Sequence, residues 1–448
     1  MACNASKLPL IRAISARAYA SAPSAAQACP PRAATISSTT LANKVFVAAL
    51  DNGAPVARVT IAYRAGSRYE PGEEPGLSHF LRCAAGNGTA DSTAFGIMRN
   101  LQQFGANLTA TVDRETICYT LEATKDKIEG AVKFLNDVAS KQIFQPWEFD
   151  EVIERVRYES AGLAPQVRAL DLLHKGAFRR GLGNSLFCSP RQATKFSSES
   201  LQHFVASNFT AERCAVGVAG LSLDRAVAVA QTLCLPEGCR GQQAPSPYRG
   251  GEVRKEIGGE LAHVAVATQG AALSSSKEAI ALSILARALG NGPQVKWGTD
   301  NSPLGKAIAS QLGDTPFAVN AFNITYSDDG LFGVLLSAPK CSAGKAVQAA
   351  AQVLSRASSV GADALKRGRA QLLTEVLSAG DTTYTLAEDL AIQGLLTGSV
   401  TKASDLADLI SKVTDSEISS VAGKLSRGKV SMGAVGNLVN VPYADELQ

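Results

Sequence analysis

The sequence predicts an α+β protein built from two homologous domains, each a mostly antiparallel sheet with helices packed on one face. Three observations carry this. The chain has 448 residues, too many for one ordinary domain, and 46% of them are apolar, enough for a substantial core. Runs that alternate as strands come before runs with a helical period. Finally, the chain reads as the same thing twice. FDEVIERVRYESAG (149–162), AFRRGLG (177–183), SSESLQHFVASNF (197–209) and AVGVAGL (215–221) recur as ADALKRGRAQLLTEVLSAG (362–380), AIQGLLTG (391–398), TDSEISSVAGKL (414–425) and MGAVGNL (432–438). The offset stays near about 216 residues, and four matched pieces at one offset mark an internal repeat.

In the first repeat, KVFVAALDNG (44–53) and VARVTIAYRAGSR (56–68) alternate as strands around a turn at Asn52-Gly53. A helix is expected from Gly76 and a second from Ser92 to Phe104. ANLTATVDRETICYTLEA (106–123) reads as a hairpin turning near Asp113-Arg114, followed by helical stretches 125–139 and 146–161. The second repeat opens with strand 261–269 and helix 277–290. Between the repeats, LPEGCRGQQAPSPYRGGEVRKEIGG (235–259) is rich in Pro and Gly and lacks an apolar period, so it reads as a linker. The expected division is a presequence over 1–19, an N-terminal domain over 36–235, a linker over 236–259 and a C-terminal domain over 260–440.

Composition excludes several classes. The net charge is +4 with no dense Lys/Arg run, which argues against nucleic acid. No stretch reaches about 18 uninterrupted apolar residues, so no spanning helix is expected; 215–235 comes nearest and is broken by Asp224 and Arg225. The nine cysteines are scattered and form no C-x-x-C pair, so reduced, mostly buried thiols are expected, with neither haem attachment nor an iron–sulfur cluster. The first 27 residues carry Lys7, Arg12 and Arg17, whereas the first acidic residue of the chain is Asp51. Basic, Ser/Ala-rich and acid-poor, this segment reads as a mitochondrial presequence with cleavage after Tyr19.

The chemistry concentrates in GLSHFLRC (76–83) and RVRYES (155–160). On a helix, His79 and Cys83 share one face and both can reach one point. Strand, turn, strand and then this helix resemble the pitrilysin-type M16 metallopeptidases, whose inverted motif H-x-x-E-H places two zinc histidines at i and i+4 and the water-activating Glu at i+3. By that resemblance His79 holds the first histidine position, Arg82 the general-base position, Cys83 the second histidine position and Glu159 that of the distal zinc glutamate. Arginine stays protonated and cannot act as a base. The resemblance therefore implies a bowl-shaped, non-catalytic member with no catalytic residue, no metal and no cofactor. Active members also carry an Arg and a Tyr in the second half, and here Ser310 and Phe317 stand there.

Within the family, ALGNGPQVKWGTDNSPLGKAI (288–308), FNITYSDDGLFGV (322–334) and GNLVNVPYADEL (436–447) look like the core subunits of the mitochondrial ubiquinol–cytochrome c reductase (cytochrome bc1, complex III). That likeness implies a structural and assembly role on the matrix side of the inner membrane. The implied partners are a second core subunit and the cytochrome b, cytochrome c1 and Rieske subunits, with the Rieske presequence a candidate guest between the two cores. The alternative branch is the presequence-binding α subunit of the mitochondrial processing peptidase. Its mark is a long glycine-rich loop, and only Gly290, Gly292 and Gly298, around Lys296 and Trp297, stand at that place. His174, His203 and His263 have no ligand partner at i+3 or i+4 and read as packing or surface residues.

Overall fold

The computed structural model describes residues 36–238, 244–292, 301–381 and 383–447. The presequence reading over 1–19, and the part of the glycine loop holding Lys296, Trp297 and Gly298, lie outside the described residues. In the first half, β1 (Ile36–Thr40), β2 (Phe46–Leu50), β3 (Val56–Tyr63), β4 (Asn107–Val112), β5 (Ile117–Thr124) and β6 (Cys214–Ala219) form one sheet in the order β1-β2-β6-β3-β5-β4. Its helices include α1 (Leu77–Cys83), α2 (Ala94–Phe104), α3 (Ile128–Ser140), α4 (Phe149–Ala161), α5 (Pro165–Phe178) and α6 (Ser198–Asn208).

In the second half, β7 (Gly251–Glu256), β8 (Leu261–Gln269), β9 (Ala318–Thr325), β10 (Gly330–Pro339) and β11 (Ser431–Gly436) take the order β7-β11-β8-β10-β9. Leaving out β1, this is the first sheet's order strand for strand. Its helices include α7 (Ser276–Leu289), α8 (Pro303–Leu312), α9 (Ala343–Ser355), α10 (Ala362–Asp381), α11 (Thr383–Thr397) and α12 (Asp415–Leu425). Both sheets are antiparallel except where β2 meets β6 and β7 meets β11.

Local chemistry sets the helix ends. Thr93 accepts the Gly96 N–H to start α2, and Gly105 closes it at φ 63°, a conformation that favours glycine. Capping boxes at Ser197/Ser200 and Thr414/Glu417 start α6 and α12. On α3, Ile128, Ala131, Leu135 and Val138 recur at helical spacing and are buried in the core with Val59, Ile61 and Leu121 of the sheet.

Two local readings fail for long-range reasons. The strands around Asn52-Gly53 do not pair with each other, because β6 enters between them, parallel to β2 and antiparallel to β3. Residues 251–256 of the stretch read as linker form β7, the counterpart of β2. This edge strand, GEVRKE, pairs on one side only and stays partly exposed, so it shows no apolar alternation.

Each sheet has its own helices on one face, and the other face is covered by a helix donated from the opposite half. Helix α11 lies on β2, β3 and β6, where Leu390, Ala391 and Leu395 pack with Phe46, Ala48, Leu50 and Ala215. Helix α5 lies on β7, β8 and β11, where Ala169, Leu173 and Ala177 pack with Ala265, Ala267 and Val435. The exchange demands glycine at matching places. A Cβ on Gly217 would stand 2.1 Å from the Ala387 oxygen, and one on Gly433 2.3 Å from the Ala169 oxygen. Only a bare strand backbone lets each helix come so close.

The hairpin turns of the two sheets meet at the seam between the halves. Arg68 Nη1 donates to Glu115 Oε1 at 2.9 Å and to Asp328 Oδ1 at 2.7 Å, and the Ser327 N–H donates to Glu115 Oε2 at 3.0 Å. Arg114 Nη2 donates to Asp171 Oδ1 of α5 at 2.7 Å. His174 donates through Nδ1 to the Leu170 oxygen at 2.7 Å, which leaves Nε2 to accept the Tyr326 hydroxyl at 2.9 Å. His263 bonds Ser337 Oγ at 2.7 Å across β8 and β10. His203 is exposed on α6.

Candidate functional site: the His79–Arg82–Cys83–Glu159 cluster

Helix α1 is held in place from its first turn. The Glu70 carboxylate accepts the Gly76 N–H at 2.7 Å and the Ser78 N–H at 2.9 Å, at an end where helices leave donors unsatisfied. Burial pushes this carboxyl up to about 7, against those hydrogen bonds. Gly76, at φ 95°, brings the helix start against Cys188, where an added Cβ would sit 2.6 Å from the Cys188 Cα. Its apolar face, Leu77, Phe80 and Leu81, is fully buried, and the Phe80 ring meets Phe149 of α4 and Phe196 edge-on. This packing docks α1 on α4, which carries Glu159.

The residues that the family resemblance places at the motif positions do come together. His79 and Cys83 are buried, Arg82 and Glu159 half-buried. His79 Nε2 lies 3.1 Å from Glu159 Oε2 and 3.9 Å from Cys83 Sγ, and Cys83 Sγ lies 3.7 Å from Glu159 Oε2. Arg82 Nη2 bonds Glu159 Oε2 and stands 3.1 Å from His79 Nε2 and 3.6 Å from Cys83 Sγ. Arg155, one turn before Glu159, donates through Nε to Glu159 Oε1 at 3.3 Å and through Nη1 to the Cys83 oxygen at 3.1 Å. The far side of the imidazole is fixed as well: the Cys188 N–H donates to His79 Nδ1 at 3.1 Å, and Phe187 meets the ring edge-on.

The proton positions follow. Nδ1 accepts, so a neutral His79 carries its proton on Nε2 and donates it to Glu159. Burial, followed by the charge of Arg82, holds the imidazole below its usual pKa, so it stays neutral at pH 7. Burial pushes the Cys83 thiol up to about 11, although Arg82 pulls the other way. Burial also raises the Glu159 carboxyl, but Arg82, His79 and Arg155 together outweigh it, and the group titrates below its usual range.

The ligand atoms of His79, Cys83 and Glu159 lie within 4.8 Å of one another, a spacing that would admit a metal ion. The rest of the arrangement does not fit zinc. A zinc-bound His keeps its proton on the other ring nitrogen and donates it outward, whereas the Cys188 N–H occupies that acceptor position here. A guanidinium already bonds the carboxylate that the ion would need and brings a fixed positive charge to the same place. The cluster is a hydrogen-bonded set in which Arg82, His79 and Arg155 all bond the Glu159 carboxylate.

Ser310 is elsewhere. It sits exposed on α8, its hydroxyl bonded to the Ala307 oxygen, in a cavity with Leu289, Pro303 and Arg356. Phe317 packs at the edge of the second core. Gly290 and Gly292, the described part of the short glycine stretch, have φ of 142° and 78°. Sequence reading missed Arg155, Phe187 and Cys188. Arg155 was signalled by its i, i+4 spacing to Glu159; the other two come from a loop whose approach no local pattern shows.

Residues 45–190 match the family model described as Insulinase (Peptidase family M16), and residues 195–372 match Peptidase M16 inactive domain. The chain belongs to peptidase family M16. Among its relatives, this M16 chain is 34% identical over 417 residues to the rat (Rattus norvegicus) protein named cytochrome b-c1 complex subunit 2, mitochondrial, covering 91% of each chain. It is 33% identical over 427 residues to the human protein of the same name, covering 93% of each. The mitochondrial-processing peptidase subunit alpha of potato (Solanum tuberosum) is 28% identical over 422 residues, covering 91% of this chain and 83% of its own. The M16 fold also matches a chain in the solved structure titled Complex III2 from Candida albicans, Inz-5 bound, with a TM-score of 0.77 at 19% identity, over 92% of this chain and 99% of that one.

Proposed function

We propose that this chain is a non-catalytic structural subunit of the mitochondrial cytochrome b-c1 complex, in the position held by subunit 2 (core protein 2). The observation that carries this reading is likeness end to end: relatives of that name align over nine-tenths of both chains. The site supports it from the chemical side. The position where an active M16 peptidase keeps its base holds Arg82, and the groups around it are spent on one another. The partners in this reading are core protein 1 and the cytochrome b, cytochrome c1 and Rieske subunits, with the chain on the matrix side. Among the described residues, no helix is long and apolar enough to cross a membrane, so attachment runs through partners. The M16 units in this reading span 36–235 and from 251 onward, with residues 1–19 removed on import.

The processing-peptidase α subunit is the second reading, favoured by full-length likeness at lower identity. Native electrophoresis of gently solubilised mitochondria separates the two. Migration of the chain with haem in the assembled complex is expected. Recovery in a small soluble heterodimer with a zinc-containing partner overturns the proposal. Metal analysis of the purified chain should find zinc far below one ion per chain, and no peptide hydrolysis that His79→Ala removes.

A further inference from the structure

A cavity of about 1100 Å³ opens between the end of α5, the loop that precedes α1, and the 244–249 segment leading into the second half. Its charge is lopsided. Arg64, Arg68, Arg179, Arg180, Arg213 and Arg249 line it, against Glu70 and Glu73. Arg68 is committed to Glu115 and Asp328, and Glu70 has both oxygens on the first turn of α1. Arg213 donates through Nε and Nη2 to the Arg64 carbonyl oxygen and lies over the Tyr69 ring, so the guanidiniums that face the Glu73 carboxylate from the open side are those of Arg179, Arg180 and Arg249. Arg179, Arg180 and Arg249 are exposed, and among the described residues none of the three has an acidic partner.

The backbone shows that one of these guanidiniums is held there at a cost. Arg179 follows the last residue of α5 at φ 64° and ψ −46°, a conformation that suits glycine. The matching helix of the other half, α11, ends on Gly398 at φ 72°. An L side chain kept at such a place, on the wall of a cavity, points to a use for that side chain. The remaining wall holds an apolar part, Tyr69, Phe178, Pro245 and Pro247, beside Asn184 and Ser246.

We propose that this cavity binds an organic anion carrying two phosphate groups, held by the forks of Arg179, Arg180 and Arg249 with Arg213 behind them. Guanidinium pairs with phosphate bidentately, and two phosphates match the surplus of positive charge better than one carboxylate does. The apolar wall accommodates the organic part. A basic peptide is the wrong guest for it. The same chemistry is offered by a soluble diphosphate ester and by a lipid headgroup with two phosphates.

The test is calorimetric titration of the full chain with inorganic pyrophosphate at low salt, comparing the unsubstituted chain with Arg179→Gly, Arg249→Gln and Arg157→Gln. Arg157 lies outside the cavity and pairs with Glu154. Saturable binding, weakened about tenfold by either cavity substitution and unchanged by Arg157→Gln, is expected. Arg179→Gly also relieves the backbone, so it should melt at or above the temperature of the unsubstituted chain while binding worse. That separates lost contact from lost fold. Absence of pyrophosphate binding, or equal binding by all four proteins, overturns the proposal. Cosedimentation with phosphatidylcholine vesicles containing a diphosphatidyl lipid tells the sources apart. Capture that pyrophosphate competes away identifies the lipid headgroup, and pyrophosphate binding without capture identifies a soluble ester.

Discussion

The two halves have one strand order and different chemistry, and the difference shows which residues the fold needs. Gly217 and Gly433 stand at matching points, each under the helix donated by the other half. Gly176 on α5 and Gly394 on α11 match as well, one against Gly251 of β7 and the other against Phe46 of β2. These are places where backbone or ring must come close, and both halves meet them alike. Elsewhere the halves diverge. Strand β2 is FVAAL and buried, whereas β7 is GEVRKE and half in water. Helix α5 ends on Arg179 and α11 on Gly398; α5 carries His174 where α11 carries Ile392. Contact geometry is shared, and surface chemistry is not.

Four measurements test that contrast. The largest effect is expected from Arg68→Ala, which removes the cation where the two turns meet and leaves the buried Glu115 carboxylate without its countercharge. The loss of unfolding free energy should be about 3–5 kcal/mol in chemical denaturation, and Arg68→Met should lose less only when combined with Glu115→Gln. Next come Gly217→Ala and Gly433→Ala, each about 2–3 kcal/mol by overpacking against a helix backbone. The two should cost nearly the same. A cheap substitution at one site alone would show that only one donated helix is tightly seated.

Smaller effects should have opposite signs at the two helix ends. Gly398→Arg forces a side chain into a positive-φ position and should cost about 1 kcal/mol, whereas Arg179→Gly should gain a similar amount, both read as shifts in melting temperature. The smallest effect concerns pH. Burial holds His79, His174 and His263 below the usual imidazole value, so the unfolded chain takes up protons that the folded one refuses as pH falls below about 6.5. Stability therefore falls with acid in that window. Glu70 works the other way: with its carboxyl raised to about 7, its contribution is full below about 4.5 and is lost as pH rises through about 7. Since His174 lies in the α5 seam and α11 has Ile392, hydrogen exchange at pH 5 should rise around β8 and β11 before it rises around β2 and β6. His174→Gln should reduce that difference.

The repeat, the order of elements and the shared face of His79 and Cys83 were legible in the sequence, because recurrence at one offset and spacing on a helix can be read from it directly, whereas Glu159 was placed with them by the family resemblance alone. What Arg82 does was not legible. A long side chain at i+3 can turn outward to water or inward, and its closure on Glu159 depends on how α1 docks on α4. The Cys188 N–H that fixes the His79 ring comes from a loop more than a hundred residues away. The insertion of β6 between β2 and β3 was hidden for the same reason, since its partners precede it by some 150 residues and the Asn52-Gly53 turn gave a strong but misleading local signal. Strand β7 was missed because an edge strand in water has no reason to alternate.

The exchange of α5 and α11 also bears on how the chain is made. Synthesis delivers the whole first sheet, Phe46, Ala48 and Leu50 included, long before Thr383–Thr397 leaves the ribosome. Until then that apolar face has no cover of its own, and the donated helix is among the last parts of the molecule to arrive. A nascent or newly imported chain must therefore be kept from self-association for most of its length. A truncation just before residue 383 leaves the first sheet without its donated cover and leaves α5 facing a second sheet that lacks its β11 strand.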